Sequence, residues 1–382
     1  FKNYELNIAI PEIVDLKDNQ NIIIEINSKS NFDNELNQPY QLEGFIVTKD
    51  NKNLKLKNIN LLKNQMISNI DYDQKIQINE VEELESKIDI VSVIGSVINR
   101  ERMQEVCSSF DVHTIYHSAA YKHVSLVEEN PFEAVSNNIY GTKICAESAD
   151  ETGVETFVLI STDKAVRPTN IMGATKRFAE LILQSMALTS KTNMTIVRFG
   201  NVIGSSGSAI PLFQKQIKNG GPVTVTDPEV IRYFMTIPEA AELVIQAGAM
   251  GKGGDVFVLD MGEPVKIVEL AKKLIRLSGM ELKTIDNPDG DIEIKFTGLR
   301  AGEKLYEELL IGDNVSSTNH ERILSAREQY LSEKEINSFL REIEEAEKTG
   351  DTEALKEILK NAIVGFTPDK EIVDVIYVEK NS

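Results

Sequence analysis

Ser161-Thr162-Asp163-Lys164 sets two hydroxyls, a carboxyl and an amine on four consecutive residues, and Met172-Gly173-Ala174-Thr175-Lys176 follows after seven more. A carboxyl beside an amine can supply the acid and the base of one proton-transfer reaction, provided both lie about a hydrogen bond from the reacting atoms. Thr162 can hydrogen-bond a substrate hydroxyl. Met172 cannot exchange a proton, because a thioether is only a weak acceptor. Either the site is inert, then, or its proton transfers fall to Asp163 and Lys164. A lysine acting as a base near neutral pH needs a lowered pKa, which burial or the Lys176 cation would supply. The plainer reading of Thr162-Asp163 is a cap on the next element; the adjacent Lys164 and the later Lys176 favour chemistry.

These side chains need a frame. Residues 157–160 form an apolar run that reads as a buried strand and delivers Ser161 and Thr162 at its C-terminal end. The pattern predicts further strands over 88–94, 114–117, 195–199 and 256–259. It predicts helices over 101–110, 131–152, 173–187, 210–218, 238–250 and 267–278. Strands alternating with helices of this length indicate α/β architecture, a doubly wound parallel sheet with helices on both faces. Ligands of such sheets bind at the C-terminal ends of strands, where Thr162 and the loop 200–208 fall. After residue 204 the pattern loosens, as expected of a smaller substrate-side subdomain. From 313 onward the chain is charged and reads as a helical tail. There, Ile336, Phe339, Leu340 and Ile343 share one face, and Leu355, Ile358, Leu359 and Ile363 share another, which predicts a helical hairpin packed on the body.

The chain has 382 residues, 41% of them hydrophobic and 26% charged, with a formal net charge of -19. The acidity argues against nucleic acid as a partner, since that binding needs a basic surface. An anionic substrate would need local cations, which draws attention to individual Arg and Lys residues in loops. Cys107 and Cys145 match no metal spacing and read as reduced, buried thiols. The four histidines form no ligand cluster, and no metal is expected. No stretch approaches the roughly 20 apolar residues of a membrane span.

Longer segments carry a family resemblance. They are His117-Ser-Ala-Ala-Tyr-Lys-His123, Ser161-Thr-Asp-Lys-Ala-Val166, Asn170-Ile-Met-Gly-Ala-Thr-Lys-Arg177, Arg198-Phe-Gly-Asn-Val202, Gly204-Ser-Ser-Gly207, Arg232-Tyr-Phe-Met-Thr-Ile-Pro238 and Gly302-Glu-Lys-Leu-Tyr-Glu-Glu308. With them the stretch 70–310 resembles the polysaccharide-biosynthesis branch of the extended short-chain dehydrogenases, the nucleotide-sugar 4,6-dehydratases acting on UDP-N-acetylglucosamine. The superfamily carries Tyr-x-x-x-Lys where this chain has Met172 and Lys176; long, membrane-anchored members of this branch similarly replace the Tyr by Met. The resemblance implies a Rossmann-like catalytic domain over 70–312, with its substrate subdomain mainly after 204. It also implies a partial Rossmann-like region over 1–69, carried by a weak match around Tyr40-Gln-Leu-Glu-Gly-Phe-Ile46, and NAD as cofactor.

The same resemblance assigns roles. Thr162 would hydrogen-bond the sugar 4-hydroxyl, Asp163 would be the acid at the 6-hydroxyl, Lys164 the base at C5, and Met172 would pack on the sugar. Lys176 would hold the nicotinamide ribose. Ala119 and Ala120 would leave room for NAD, although small residues there also suit plain packing. Asn138 would order the active-site backbone, or is simply a polar helix residue. Ser96 would stand beside the adenine, where relatives often have Asp. Lys122, Asn201, Ser205, Arg232, Arg300 and Glu303 fall on the UDP-sugar side, where loop arginines suit a diphosphate. Cytoplasmic chemistry follows from the NAD and nucleotide-sugar pools, at the inner face of the membrane if an anchor precedes Phe1. The helices over 131–152 and 173–187 commonly form a dimer interface in this superfamily, so a homo-oligomer is expected.

One departure matters. The family opens its catalytic domain with a strand and a glycine-rich turn that holds the dinucleotide pyrophosphate. Before Gly95 the only glycine is Gly44. Two readings stand: the chain is part of a longer polypeptide, favoured because the catalytic motif is intact, or it has lost the turn and binds without catalysis. A 4-epimerase or reductase is a further alternative, weakened because those enzymes usually need the Tyr and have no use for Asp163-Lys164.

Overall fold

The computed structural model describes residues 91–381 except 206–207, 301, 309–314 and 370, together with strands β1 (Ile22–Asn27) and β2 (Glu43–Thr48). After an irregular segment, helix α1 (Arg100–Ser109) starts at Asn99, whose side chain accepts the Arg102 N–H. Strand β3 (Thr114–His117) and helix α2 (Val124–Glu129) follow. Helix α3 (Pro131–Ala134) runs through a π-helical turn, Val135–Tyr140, into α4 (Gly141–Thr152). Gly153 ends α4 at φ 81°, a left-handed conformation that glycine adopts without a Cβ penalty. Then come β4 (Thr156–Ile160), α5 (Ile171–Met186) and β5 (Asn193–Arg198). Helices α6 (Ala209–Lys218), α7 (Ile237–Met250), α8 (Ile267–Leu277), α9 (Glu333–Thr349) and α10 (Thr352–Ala362) complete the main elements.

The central sheet has eight strands in the order β1-β2-β3-β4-β5, then Asp255–Leu259, Ile323–Ala326 and Val315–Ser317. From β3 to Asp255–Leu259 all neighbours are parallel, and the flanking strands on both sides are antiparallel. Side chains alternate faces with the period of two that a strand imposes. Ile115, Phe157, Leu159 and Ile196 enter one cluster with α1, α4 and α5. Tyr116, Val158 and Val197 enter another beneath α7. A third cluster, beyond residue 204, joins α6 and α8 to the small sheet of Val223–Val225, Ile292–Phe296 and Leu282–Lys283.

Two expectations need correction. The strand predicted over 88–94 is irregular over 91–94, and 88–90 lie outside the described residues. Val93 and Val97 bury their side chains as anchors before α1, and the sheet edge at β3 is paired with β2 instead. The tail predicted as helical from 313 begins with strands. Ile323–Ala326 adds antiparallel to Asp255–Leu259, and Val315–Ser317 adds to it in turn. Of the region 1–69, only β1 and β2 are described, as an antiparallel pair.

The helical hairpin itself is present. Ile336, Leu340, Ile343, Leu355, Leu359 and Ile363 are buried in the cluster that contains α5. Burying each such side chain contributes roughly 1.5–3 kcal/mol, so α9 and α10 are part of the core. Every residue from Ile171 to Ser185 is buried within this one chain, between β5 and the tail hairpin. Cys107 and Cys145 are buried thiols outside any disulfide, as the sequence suggested. Among the described residues no helix is long and apolar enough to cross a membrane.

Candidate active site

The end of β4 is fastened from below. Ser161 turns inward and donates its hydroxyl to Glu180 Oε1 of α5 at 2.6 Å. Glu180 also accepts from Arg198 Nε and Nη2 at 2.8 and 2.6 Å, and from Arg177 Nη1 at 2.9 Å. Arg198 Nη1 reaches Glu328 Oε1 at 2.5 Å, which brings in the segment after Ile323–Ala326. Burial alone would raise the Glu180 carboxyl; the Arg198 and Arg177 guanidiniums and the Ser161 hydroxyl outweigh it and hold its pKa at about 2. The first residue of the sequence motif is therefore an anchor rather than a reagent.

Thr162 fits the plainer reading, a cap on the next element. Its Oγ1 accepts the Lys164 N–H at 3.3 Å, capping the 3-10 turn Asp163–Ala165, and donates to Asp163 Oδ1 at 2.9 Å. Asp163 is fully buried, with its N–H donating to the Phe199 carbonyl at 3.0 Å. Lys164 Nζ donates to Asp163 Oδ1 at 3.0 Å and to Asn201 Oδ1 at 3.4 Å, and lies 3.5 Å from Glu307 Oε1. Asp163 Oδ2 is buried without a hydrogen-bond partner. A Cβ on Gly200 would lie 3.1 Å from that oxygen, so Gly200 leaves the space in front of the carboxyl open.

The lowered lysine expected from the sequence is not found. Burial pulls the Lys164 ammonium down, but the Asp163 and Glu307 carboxylates outweigh it and leave its pKa above the ordinary value. Sequence reasoning weighed burial and Lys176, and missed the second carboxylate.

That carboxylate arrives on segment 302–308, which straps the region after the Asp163–Ala165 turn to the strand Ile231–Arg232. On one side, the Thr169 hydroxyl and Asn170 Nδ2 each donate to the Gly302 carbonyl at 3.0 Å, Lys304 Nζ donates to the Val166 carbonyl at 3.0 Å, and Arg167 grips Glu308 through two bonds of 2.9 Å. On the other, Arg232 donates to the carbonyls of Lys304 at 2.8 Å and Leu305 at 3.3 Å and to Glu303 Oε1 at 3.2 Å. Glu303 also accepts the Thr226 hydroxyl at 3.1 Å. Arg232 thus holds protein groups here, where the sequence suggested a phosphate ligand.

The π-helical turn carries a second cluster. Such turns place side chains that an α-helix would not, often at functional sites. Asn138 is fully buried; its Oδ1 accepts the Tyr121 N–H at 2.7 Å and its Nδ2 donates to the Tyr121 carbonyl and to Thr175 Oγ1, both at 3.0 Å. It therefore does order the backbone after β3, where Ala119 is buried and Ala120 and Lys122 are half-buried. His117 Nε2 lies 3.0 Å from Thr142 Oγ1, and burial together with the Lys176 cation pushes its pKa down to about 3, so the ring is neutral. Lys176 is itself buried, and Met172 sits in the main apolar cluster.

The fold thus gathers Thr162, Asp163, Lys164, Asn201, Arg232 and Glu303, and adds Glu307. Ser96 lies in the turn before α1 and Ser205 in the loop before α6. Arg300 is exposed, its N–H bonded to Glu303 Oε2 at 3.2 Å. None of these three side chains hydrogen-bonds the Lys164 cluster among the described residues. A groove of about 600 Å³ where α9 meets α4, lined by Tyr140, Lys143, Leu340 and Arg341 among others, shares no residue with the site.

A doubly wound sheet with a Thr-Asp-Lys turn at a strand end and a buried lysine one helix later defines an extended short-chain dehydrogenase-type fold. The chain belongs to the polysaccharide biosynthesis protein family, whose profile matches residues 44–328. It is similar to the capsular polysaccharide biosynthesis protein CapD of Staphylococcus aureus, 54% identical over 260 residues, covering 68% of this chain and 42% of that protein. The chain therefore spans less than half the length of that relative. It also matches a UDP-glucose 4-epimerase of Rickettsia canadensis, 35% identical over 226 residues, 58% of this chain and 62% of that one. Among solved structures, Pen from Bacillus thuringiensis has a TM-score of 0.55 at 36% identity, covering 62% of this chain and 72% of that one. The dTDP-glucose 4,6-dehydratase DesIV from Streptomyces venezuelae, solved with NAD bound, shares the fold with a TM-score of 0.51 at 20% identity, over 70% of this chain and 81% of that one.

Proposed function

We propose that this chain carries the active site of an NAD-dependent 4,6-dehydratase acting on UDP-N-acetylglucosamine for surface-polysaccharide synthesis. The observation that carries the reading is the buried Asp163–Lys164 pair at the end of β4, with Met172 where a proton-exchanging Tyr would otherwise stand. An epimerase has no elimination to catalyse and no need of an acid and a base side by side.

The residues after β3 fit the nicotinamide end of a dinucleotide: small Ala119 and Ala120, a backbone clamped by Asn138, and buried Lys176. A pyrophosphate turn is not among the described residues. NAD, when bound, supplies oxidation at sugar C4 and returns the hydride at C6. Thr162 would hydrogen-bond the 4-hydroxyl. Once C4 is a ketone, the C5 hydrogen is acidic. A proton passing from Lys164 Nζ to Asp163 along their 3.0 Å bond leaves a free amine and a carboxylic acid, the two forms that elimination needs. Lys164 then takes the proton from C5, Asp163 gives its proton to the departing 6-hydroxyl, which leaves as water, and the Lys164 ammonium gives its proton back to C5 when C6 is reduced. Asn201, Lys122, Ser205, Arg232, Arg300 and Glu303 are assigned to the UDP-sugar, with Ser96 on the cofactor side. Arg232 reaches a phosphate only by exchanging its present carbonyl partners for it. Chemistry in the cytoplasm and self-association belong to the same proposal.

The test is mass spectrometry of UDP-N-acetylglucosamine after incubation with the purified chain and NAD. Loss of one water, with a borohydride-reducible product, is expected. A sugar unchanged in mass and in chromatographic retention, with the chain folded, would support binding without catalysis, and a 4-epimer, of equal mass but resolved by chromatography, would support epimerisation.

A further inference from the structure

Glu307 has no role in the mechanism above, yet it faces the reacting lysine. Its side chain is 3% exposed. Oε1 lies 3.5 Å from Lys164 Nζ and 3.8 Å from Arg232 Nε, and Oε2 is buried with no hydrogen-bond partner. Leaving a charged oxygen buried and unpaired costs on the order of 1–3 kcal/mol or more, so its retention asks for a reason. Asp163 presents the same pattern from the opposite direction: one oxygen on Lys164 and one buried without a donor. The backbone around Glu307 is fixed, since the Ile231 N–H donates to the Leu305 carbonyl at 3.1 Å and Arg167 holds Glu308. The carboxylate is therefore delivered to Lys164 by a braced element.

We propose that Glu307 is a positioning residue for the dehydration, the second jaw of a carboxylate–ammonium–carboxylate clamp that holds Lys164 Nζ between the catalytic turn and segment 302–308. The proposal rests on the dehydratase reading for its chemical consequence. When Lys164 removes the C5 proton, the C5–H bond breaks, an N–H bond forms, and positive charge develops on Nζ. Asp163 loses its negative charge to the proton it carries and can no longer stabilise that cation. Glu307 keeps its charge throughout and sits beside it. The groups that face Lys164 are Asp163 from its own turn, Glu307 from the strap and Arg232 from the strand Ile231–Arg232, with Glu303 bonded to Arg232. Of the two carboxylates paired directly with Lys164 among the described residues, Asp163 delivers a proton in the reaction and Glu307 does not.

The experiment follows the Lys164 Nζ signal in enzyme labelled with 15N-lysine, assigned by its loss in Lys164→Arg, alongside kcat and KM. In Glu307→Gln the Lys164 titration is expected to move down by about 1–3 pH units. With it, kcat is expected to fall about ten-fold or more, with KM changing less than about two-fold. Glu308→Gln, which loosens the strap at its exposed Arg167 pair but keeps the Glu307 charge, is expected to leave the Lys164 titration in place. If Glu307→Gln does not fold, Glu307→Asp keeps the charge and withdraws it by one methylene, and a smaller downward move is expected. An unmoved Lys164 titration in folded Glu307→Gln overturns the clamp, as does an equal move in Glu308→Gln. If no variant, wild type included, dehydrates the sugar, the dehydratase reading fails while the titration still decides the clamp.

Discussion

Gly173 is the most sensitive small residue in this site, and Gly173→Ala puts its role to the test. The residue lies in the first turn of α5, and the constraint on it is space. A Cβ built there lies 2.2 Å from the Lys164 carbonyl oxygen and 3.0 Å from its carbonyl carbon. Carbon and oxygen that are not bonded approach to roughly 3.3–3.6 Å, so one backbone must retreat by roughly 1 Å. Neither can yield cheaply. The start of α5 is fixed by Asn170 Oδ1 accepting the Gly173 N–H at 2.8 Å and by Glu128 Oε1 accepting the Ile171 N–H at 2.6 Å. The turn is fixed by the Asp163 N–H on Phe199. Overpacking of this kind costs about 1–3 kcal/mol, and about 1–2 °C of Tm per kcal/mol is expected in a chain of this size. The larger effect falls on chemistry, since a shift of about 1 Å in a catalytic group can cost about 10²-fold in rate. The assay pairs thermal unfolding with the mass-spectrometric dehydration rate. The expected variant is folded, modestly less stable and roughly a hundred-fold slower in kcat. A variant with wild-type Tm and a kcat within about two-fold would refute the close contact of turn and helix and the placement of Lys164 that depends on it.

Three further outcomes follow from the same geometry. Asp163→Asn keeps the shape of the turn but removes the acid, so kcat should fall by about 10²–10⁴-fold with the chain still folded, measured by the same dehydration assay; a mild effect would move the acid elsewhere. Asn138→Ala removes the bonds that the buried Asn138 makes to the N–H and carbonyl of half-buried Tyr121 and to Thr175 Oγ1 and should cost about 1–3 kcal/mol in urea unfolding. Glu180→Gln takes the buried anion from Arg198 and Arg177, which keep Glu328 as their remaining carboxylate among the described residues, and should cost up to about 3–5 kcal/mol at neutral pH. Because the folded pKa of Glu180, about 2, lies below its ordinary 4.5, its contribution is complete above the ordinary value and fades as pH falls from there toward 2. Urea midpoints between pH 7 and 3 should therefore fall more steeply for the wild type than for Glu180→Gln, and parallel curves would count against this assignment.

The catalytic turn was legible because its parts are local. An apolar strand, a hydroxyl at its end, a carboxyl and an amine in succession, and a lysine one helix later all fall between residues 157 and 176, and burial patterns with period two and 3.6 place them. Local order also made the hairpin of α9 and α10 readable from one apolar stripe on each helix. Where the sequence misled, pairing was decided at a distance. The apolar run near Val93 looks like a strand, but a strand exists only if an edge is open to it, and β2 holds the edge of β3. Ile323–Ala326 looks like part of a charged tail, yet Asp255–Leu259 offers it a free edge.

Glu307 shows the same limit at the level of chemistry. In the sequence it is one of two adjacent glutamates more than a hundred residues from Lys164, and nothing in its neighbours distinguishes it from Glu308. The fold separates them completely: Glu308 meets Arg167 at the exposed edge, while Glu307 turns inward to the lysine. That inward turn reverses the expected electrostatics of the site. Burial and a neighbouring cation would have lowered the Lys164 ammonium. With two carboxylates on it, the resting form is the ammonium. On the proposed dehydration, the base would then be made within the site by transfer of its proton to Asp163, and the same transfer would arm the acid. A site built this way holds no free amine exposed to solvent between turnovers, and it couples the readiness of the base to the readiness of the acid through a single 3.0 Å bond.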